Sequence, residues 1–147
     1  MKFRLIIDDT KEEEVVATVR QRSSLTDQIE ELVRQHSGQH QIAAFRDDEM
    51  ALLSFDKIEC ITVENGKTIA IDHLGKHYRL KQRLYEVESL LPSSFIRINK
   101  SALANEARLE RFVATYSGGV NARFLSGYEE YVSRRCFALI KRRYDSK

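Results

Sequence analysis

The sequence has little cysteine, little proline and no long apolar run. Its 147 residues include two cysteines, one proline, six glycines and no tryptophan. Cys60 and Cys136 are too few and too far apart for a disulfide scaffold, so we expect reduced thiols. The apolar runs are short, such as those at 42–45 and 50–53, and none exceeds five residues. A membrane span needs ~20 residues, and the N-terminus lacks a signal-peptide apolar region, so we expect a cytoplasmic protein that is not itself membrane-embedded.

Enzyme and metal signatures are also missing. There is no glycine-rich phosphate loop, no G-x-S-x-G elbow and no H-E-x-x-H pair. The four histidines form two i, i+4 pairs, 36 with 40 and 73 with 77, but a glycine interrupts each pair and no cysteine is near to complete a tetrahedral site. We therefore predict a protein that is not an enzyme and has no catalytic residues, no metal and no cofactor.

The net charge is only +2, but it is unevenly distributed. Residues 1–48 carry 7 basic and 10 acidic side chains (net −3), and residues 49–147 carry 17 and 12 (net +5). The last sixteen residues hold six basic side chains and one acid. Such a cluster suits a polyanion such as nucleic acid, although a solvated C-terminal helix often looks the same.

What the sequence does contain is the pattern of a folded α+β chain, mostly β. Residues 2–7 alternate apolar and basic side chains, and residues 15–20 are rich in β-branched residues, which predicts a hairpin. A helix is predicted next, with Ser23 or Ser24 as its N-cap and an end before Gly38. Its apolar stripe consists of Leu25, Ile29, Leu32 and Val33. A third strand is predicted at 41–45, and a polar joint follows. We expect a small α+β module over residues 1–47 and a second unit over residues 48–147.

The second unit shows period-two alternation with glycine turns. Strands are predicted at 50–55, 58–64, 68–72, 77–79, 95–98, 109–115, 120–125 and 130–132. A helix is predicted from Leu80 to Leu91, and Ser133 is expected to cap a last, basic helix.

Two local features allow other interpretations. Asp8 and Asp9 follow an apolar stretch, as in phospho-acceptor receiver domains, but too few residues are present for that fold, and a polar turn is the simpler interpretation. Cys136 lies at the start of a helix beside two arginines, which would favour thiolate, so a redox role stands against ordinary packing near Phe137.

One stretch carries a more specific signal. Residues 95–105 read F-I-R-I-N-K-S-A-L-A-N, and V-S-R-R follows at 132–135 before the basic helix. In combination these motifs resemble the LytTR family of bacterial DNA-binding domains, whose pattern is F-x-R-x-H-[RK]-S-x-L-[VA]-N followed by V-S-R-R. The resemblance extends over residues 48–144. Asn99 is a departure, since the family usually has histidine there.

The resemblance implies an elongated β domain that reads successive major grooves of double-stranded DNA with loops and without a recognition helix. By their motif positions, Lys100 next to Ser101 and Arg135 would contact bases or backbone, and the turn from Asn65 through Lys67 to Thr68 would be a third contacting loop. Arginine can fork onto guanine, and asparagine can pair with adenine.

The two motifs include three further polar positions. For Arg97, a structural ion pair and a phosphate contact are equally good interpretations. Arg134 suits a phosphate contact, and the role of Asn99 stays open.

The resemblance also implies a stand-alone transcription regulator, since the first 47 residues cannot form a receiver domain. Such proteins are often paired with a membrane protein that restrains them. The apolar stripe of the first helix predicts a homodimer, at least on DNA. The alternative function is a protein-interaction module that uses its β surface, with a basic helix that serves only solubility.

Overall fold

The N-terminal region does not form the predicted hairpin. The computed structural model describes residues 1–11, 13–37 and 40–145, and the described part of residues 1–23 contains neither helix nor strand. Every side chain in that part is exposed. The prediction of strands at 2–7 and 15–20 is therefore wrong, because an isolated pair of strands with no layer to pack on is at best marginally stable. The predicted polar turn does form: Asp8 Oδ1 accepts hydrogen bonds from Thr10 N (3.0 Å) and Thr10 Oγ1 (2.6 Å).

The first helix, α1, spans Ser24–Ser37 as predicted. Its N-terminus is capped by Ser23, whose carbonyl accepts from Asp27 N (3.1 Å) and whose amide donates to Thr26 Oγ1 (2.9 Å). Glu30 accepts a hydrogen bond from Ser93 N (3.1 Å), which ties the helix to the rest of the chain. None of the helices in the described ranges is both long enough and apolar enough to cross a bilayer.

Seven antiparallel strands form the main sheet, in the order β2-β1-β5-β4-β3-β7-β6. Their bounds are β1 Gln41–Arg46, β2 Glu49–Ser54, β3 Ile58–Glu64, β4 Lys67–Asp72, β5 His77–Leu80, β6 Phe95–Asn99 and β7 Ala102–Asn105. β1 pairs with both β2 and β5. The strand that sequence analysis placed in the N-terminal module is thus part of the main sheet.

A second, three-stranded sheet has the order β10-β9-β8. It comprises β8 Leu109–Ala114, β9 Val120–Phe124 and β10 Glu129–Val132, and it leads into helix α3, Arg134–Asp145. Helix α2, Leu84–Leu90, lies between β5 and β6. It begins four residues later than predicted because Leu80 ends β5, paired with Thr68.

The main sheet has a buried apolar cluster on each of its faces. The face towards α2 holds an apolar cluster of Ile42, Ala44, Phe55, Ile58, Ile61, Ala70, Leu80, Leu84, Val87 and Leu103. The other face packs against the second sheet and α3 through Cys60, Ile71, Ile98, Ala102, Ala104, Ala122, Phe124, Val132 and Ile140. Cys136 and Phe137 pack against this second cluster, which agrees with the packing interpretation of Cys136.

A buried carboxylate joins the two sheets. Glu59 on β3 is fully buried, and it accepts hydrogen bonds from Arg108 Nε (3.2 Å) and from Ser126 N (3.2 Å) and Oγ (2.5 Å). A buried charge is costly unless it is paired and hydrogen-bonded, and here it is both. The link fixes the β9–β10 turn against the centre of the main sheet.

Candidate nucleic-acid interface

Three loops of the second unit are tied together by backbone-directed hydrogen bonds. The β6–β7 turn lies in the middle. Its Ser101 carbonyl accepts from Val63 N near the end of β3 (3.1 Å), and Asn99 Nδ2 donates to the Tyr131 carbonyl at the end of β10 (2.6 Å). Ser133, the residue before α3, donates its amide to the Ile98 carbonyl (2.8 Å). The β3–β4 turn, the β6–β7 turn and the start of α3 therefore share one end of the molecule.

The β3–β4 turn presents two of its predicted contact residues to solvent. Asn65 (φ 51°) and Gly66 (φ 76°) both have positive φ, as a tight type I′ hairpin turn requires. Asn65 and Lys67 are exposed. Thr68 is only 7% exposed, so its side chain offers little surface to a partner.

The β6–β7 turn combines one fixed and one exposed polar residue. Asn99 uses both ends of its amide, since its Oδ1 also accepts from Ser101 N (2.7 Å). Lys100 is exposed, and within the described residues its ammonium group has no hydrogen-bond or ion-pair partner.

Arg97 is engaged by groups of the protein itself. Its Nε and Nη2 donate to the two carboxylate oxygens of Glu88 on α2 (3.2 and 3.1 Å), and its Nη1 donates to the Lys100 carbonyl (2.6 Å). This forked geometry is the strong form of an arginine–carboxylate pair. Of the two interpretations left open by the sequence, the contacts favour the structural ion pair.

The start of α3 presents two exposed arginines. Ser133 caps the helix as predicted, with its Oγ accepting from Cys136 N (3.1 Å) and its carbonyl from Phe137 N (2.8 Å). Arg134 and Arg135 follow at once and are exposed, with no ion-pair partner among residues 1–11, 13–37 and 40–145. Positive charge at a helix N-terminus opposes the helix dipole. These arginines therefore do not stabilise their own helix.

Sequence reasoning did not find two residues that shape this end. The helix that contains Glu88 was predicted, but Glu88 itself was assigned no role. Its pairing with Arg97 depends on the packing of α2 against β6, which a local sequence pattern does not show. The Tyr131 carbonyl is a backbone group, and no side-chain pattern reports it. By contrast, the motif identified Asn99 as a site residue, but it did not predict the groups to which Asn99 is hydrogen-bonded.

Comparisons with known proteins identify the family of residues 48–145. The family model described as LytTr DNA-binding domain matches residues 48–145. Uncharacterized HTH-type transcriptional regulators of Staphylococcus aureus, from strains NCTC 8325 and COL, are each 32% identical over 104 residues, which is 71% of this chain and 70% of theirs. The LytTr DNA-binding domain of a Bacillus cereus protein superposes with a TM-score of 0.62 at 20% identity, covering 70% of this chain and 94% of that one. This family is one of DNA-binding domains and not of enzymes. The chain therefore belongs to the LytTr DNA-binding domain family.

Proposed function

We propose that this protein is a sequence-specific transcription regulator that reads successive major grooves of double-stranded DNA with the three loops described above. The observation that carries the proposal is the hydrogen-bonded connection between them, through Val63 to Ser101, Asn99 to Tyr131 and Ser133 to Ile98. Connected in this way, the exposed side chains on different loops keep fixed relative positions. A fixed spacing of donors is what direct readout of base edges needs.

The residues divide into three roles. Arg135, Lys100 and Asn65 are proposed to contact base edges, because each is exposed and carries donors suited to guanine or adenine. Arg134, Lys67 and Ser101 are proposed to contact phosphates. Arg97 and Asn99 are proposed as positioning residues that hold the β6–β7 turn. The burial of Thr68 disfavours a direct contact there.

The arrangement of the helices supports loop-based reading. A helix-turn-helix unit requires two consecutive helices joined by a turn of three or four residues. In the described part of the chain, strands separate α1 from α2 and α2 from α3. This supports recognition of DNA by loops, without a recognition helix in the major groove.

A homodimer on paired half-sites is part of the proposal. The stripe of α1 leaves Leu25 (44%), Leu32 (66%) and Val33 (41%) exposed, which supports a contact with a second copy. A restraining membrane protein and a cytoplasmic location stay predictions. The alternative function, a protein-interaction module, would leave the exposed arginines of α3 without a purpose beyond solubility.

The test begins with selection of bound duplexes from a random-sequence pool, followed by affinity measurements on a selected site and on random DNA. Arg135→Ala is expected to cost about 1–3 kcal/mol on the selected site and much less on random DNA. The matched variant Arg134→Ala removes the same charge one residue away, and it should lower the affinity for both duplexes by the same factor. Failure to enrich any sequence, with affinity independent of salt, would refute DNA binding and leave the interaction module.

A further inference from the structure

A second basic surface lies beside the β3–β4 turn and shares Lys67 with it. It is an open groove of about 440 Å³ at the end of the β4–β5 strand pair. Four basic side chains line it: Lys67, Arg79, Lys81 and Arg83. We call it the basic groove.

The four cations of the basic groove are not neutralised by the protein. All four are exposed, and none has an ion-pair partner within the described residues. The Lys81 ammonium lies 4.8 Å from the centre of the Phe45 ring, a contact that fixes it without cancelling its charge. The nearby Glu86 carboxylate accepts from the backbone amide of Arg83, which is the cap of α2.

The strand register brings like charges together. Thr68 pairs with Leu80, the last residue of β5, so Lys67 on β4 and Lys81 just after β5 are the next residues beyond this pair. Arg79 is opposite Ile69, two residues from Lys67. Like charges at opposite or neighbouring cross-strand positions destabilise a sheet. This cost indicates a surface arranged for an anionic partner.

The basic groove faces the same side of the sheet as α3. Side chains alternate along a strand, so Lys67, Ile69 and Ile71 share one face of β4. Ile71 belongs to the cluster beneath the second sheet and α3, and Ile69 packs against that cluster. The groove also includes Gly66 and Lys67 of the β3–β4 turn. It is therefore continuous with one of the three loops.

We propose that the basic groove binds the phosphodiester backbone of duplex DNA next to the bases read by the β3–β4 turn. The inference rests on the proposed function and adds a phosphate-contacting surface built from Arg79, Lys81 and Arg83. An open groove lined by long cationic side chains of β4, β5 and the segment after β5 suits the charge repeat of a DNA strand. Contacts of this kind strengthen binding to every sequence and do not select among sequences.

The experiment compares two double variants of the 147-residue chain that each lose two positive charges. Arg79→Gln with Lys81→Gln removes two groove cations. Lys57→Gln with Lys76→Gln removes two exposed lysines at the opposite end of the β4–β5 hairpin, about 17 Å away along β4. Affinity for a fluorescent random-sequence duplex and for a selected site is measured over a range of salt concentrations. Circular dichroism melts establish that the variants are folded.

For the groove variant we expect the slope of log affinity against log salt to become shallower by about 2, because two phosphate contacts are lost. Affinity for both duplexes should fall by the same factor, on the order of tenfold. The Lys57/Lys76 variant should retain the wild-type slope. The charge-retaining variant Arg79→Lys with Lys81→Arg should restore it.

Other outcomes would overturn the proposal in distinguishable ways. Equal slopes for the groove and control variants, with wild-type binding still dependent on salt and sequence, would refute the groove and leave the proposed function standing. Absence of DNA binding by the wild type would refute both. Saturable binding of inorganic phosphate in the groove, with the DNA slope unchanged by its mutation, would make it a small-anion site and also refute the proposal.

Discussion

At the scale of single residues, Asn99 connects two of the three loops. Its amide donates to the Tyr131 carbonyl and accepts from Ser101 N, so it bridges the end of β10 and the β6–β7 turn. The family's usual histidine also carries a donor and an acceptor in its neutral form. The departure from the family pattern thus preserves the chemistry of a bridge.

Asn99→Ala is expected to lower affinity for a selected DNA site while leaving the salt slope unchanged, because it displaces loops and removes no charge. The lost hydrogen bonds should also cost about 1–3 kcal/mol of folding free energy. Asn99→His should retain more affinity than Asn99→Ala. Equal affinities of the wild type and Asn99→Ala would show that the bridge does not position the loops.

The buried thiol of Cys60 is expected to make the folding stability depend on pH. Burial raises the pKa of Cys60 well above its ordinary value, and the carboxylates of Glu130 and Glu59 add to the shift. The folded pKa then exceeds the unfolded one, so the stabilisation is complete below about pH 8.5 and is lost as pH rises above that value. In urea unfolding experiments, this thiol should lower the free energy of unfolding by up to about 1.4 kcal/mol for each pH unit above that value.

Two variants isolate the contribution of this thiol. Cys60→Ala removes the buried thiol, and its stability should decline less steeply above about pH 8.5 than that of the wild type. Cys136→Ala removes the partly exposed thiol and should keep the wild-type decline. Both variants retain Tyr128, whose pKa burial also raises, so the difference between them reports Cys60. Identical profiles for Cys60→Ala and the wild type would contradict the assignment.

At the scale of secondary-structure elements, α2 acts on the β6–β7 turn through an ion pair. Glu88 holds Arg97, and Arg97 holds the Lys100 carbonyl. The pair is partly exposed, with 34% of the Arg97 side chain and 43% of the Glu88 side chain accessible, so its direct stabilisation is small. Its expected importance lies in the position of Lys100.

Glu88→Gln is expected to change folding stability by less than about 1 kcal/mol. It should lower the ratio of selected-site to random-DNA affinity, while affinity for random DNA is unchanged or slightly raised by the lost negative charge. The control is Glu110→Gln, which breaks the Glu110–Arg111 pair on β8 (2.8 Å). An equal change in the ratio for both variants would argue against a positioning role for Glu88.

Most elements were predictable from local pattern, and the exceptions have physical reasons. Alternation and glycine turns located nine strands of the two sheets, often to within one residue. β7 was missed because Ala102, Leu103, Ala104 and Asn105 have little β propensity overall. All four are buried, and β7 lies between β3 and β6. Its strand conformation comes from those neighbours, and a local window does not contain them.

The candidate site was predictable only in part, for a related reason. The motifs identified the loops and most of the exposed side chains. They did not separate Arg97, which faces Glu88, from Arg134 and Arg135, which face solvent. Nor did they indicate that Thr68 is buried. Such differences depend on which elements pack together.

At the scale of the whole molecule, β1 decides where the chain can be cut. Ile42 (6% exposed) and Ala44 (0%) belong to the cluster beneath α2, and β1 separates β2 from β5. A chain that begins at residue 48 loses all of these contacts. A chain that begins at residue 40 keeps them and lacks α1.

We expect the chain beginning at residue 40 to unfold cooperatively. The one beginning at residue 48 should lose at least about 3 kcal/mol, because large buried side chains each contribute about 2–5 kcal/mol. Sedimentation tests the dimer in the same samples: the full chain should associate and the chain beginning at residue 40 should not. A monomeric full chain would refute the homodimer, and equal stability of the two truncated chains would refute the role of β1.

The exposure of the described residues before α1 has a consequence for the lifetime of the protein. Phe3 and Ile7 are about nine-tenths exposed, and Val16 is 75% exposed. Proteases cleave backbone that is not held in a helix or sheet, and quality-control proteases recognise exposed apolar side chains. Limited digestion should therefore trim this segment and leave the two sheets intact. If a partner covers the segment, the partner would protect it from proteases. Copies of the protein that are not bound to the partner would then be degraded faster than bound copies.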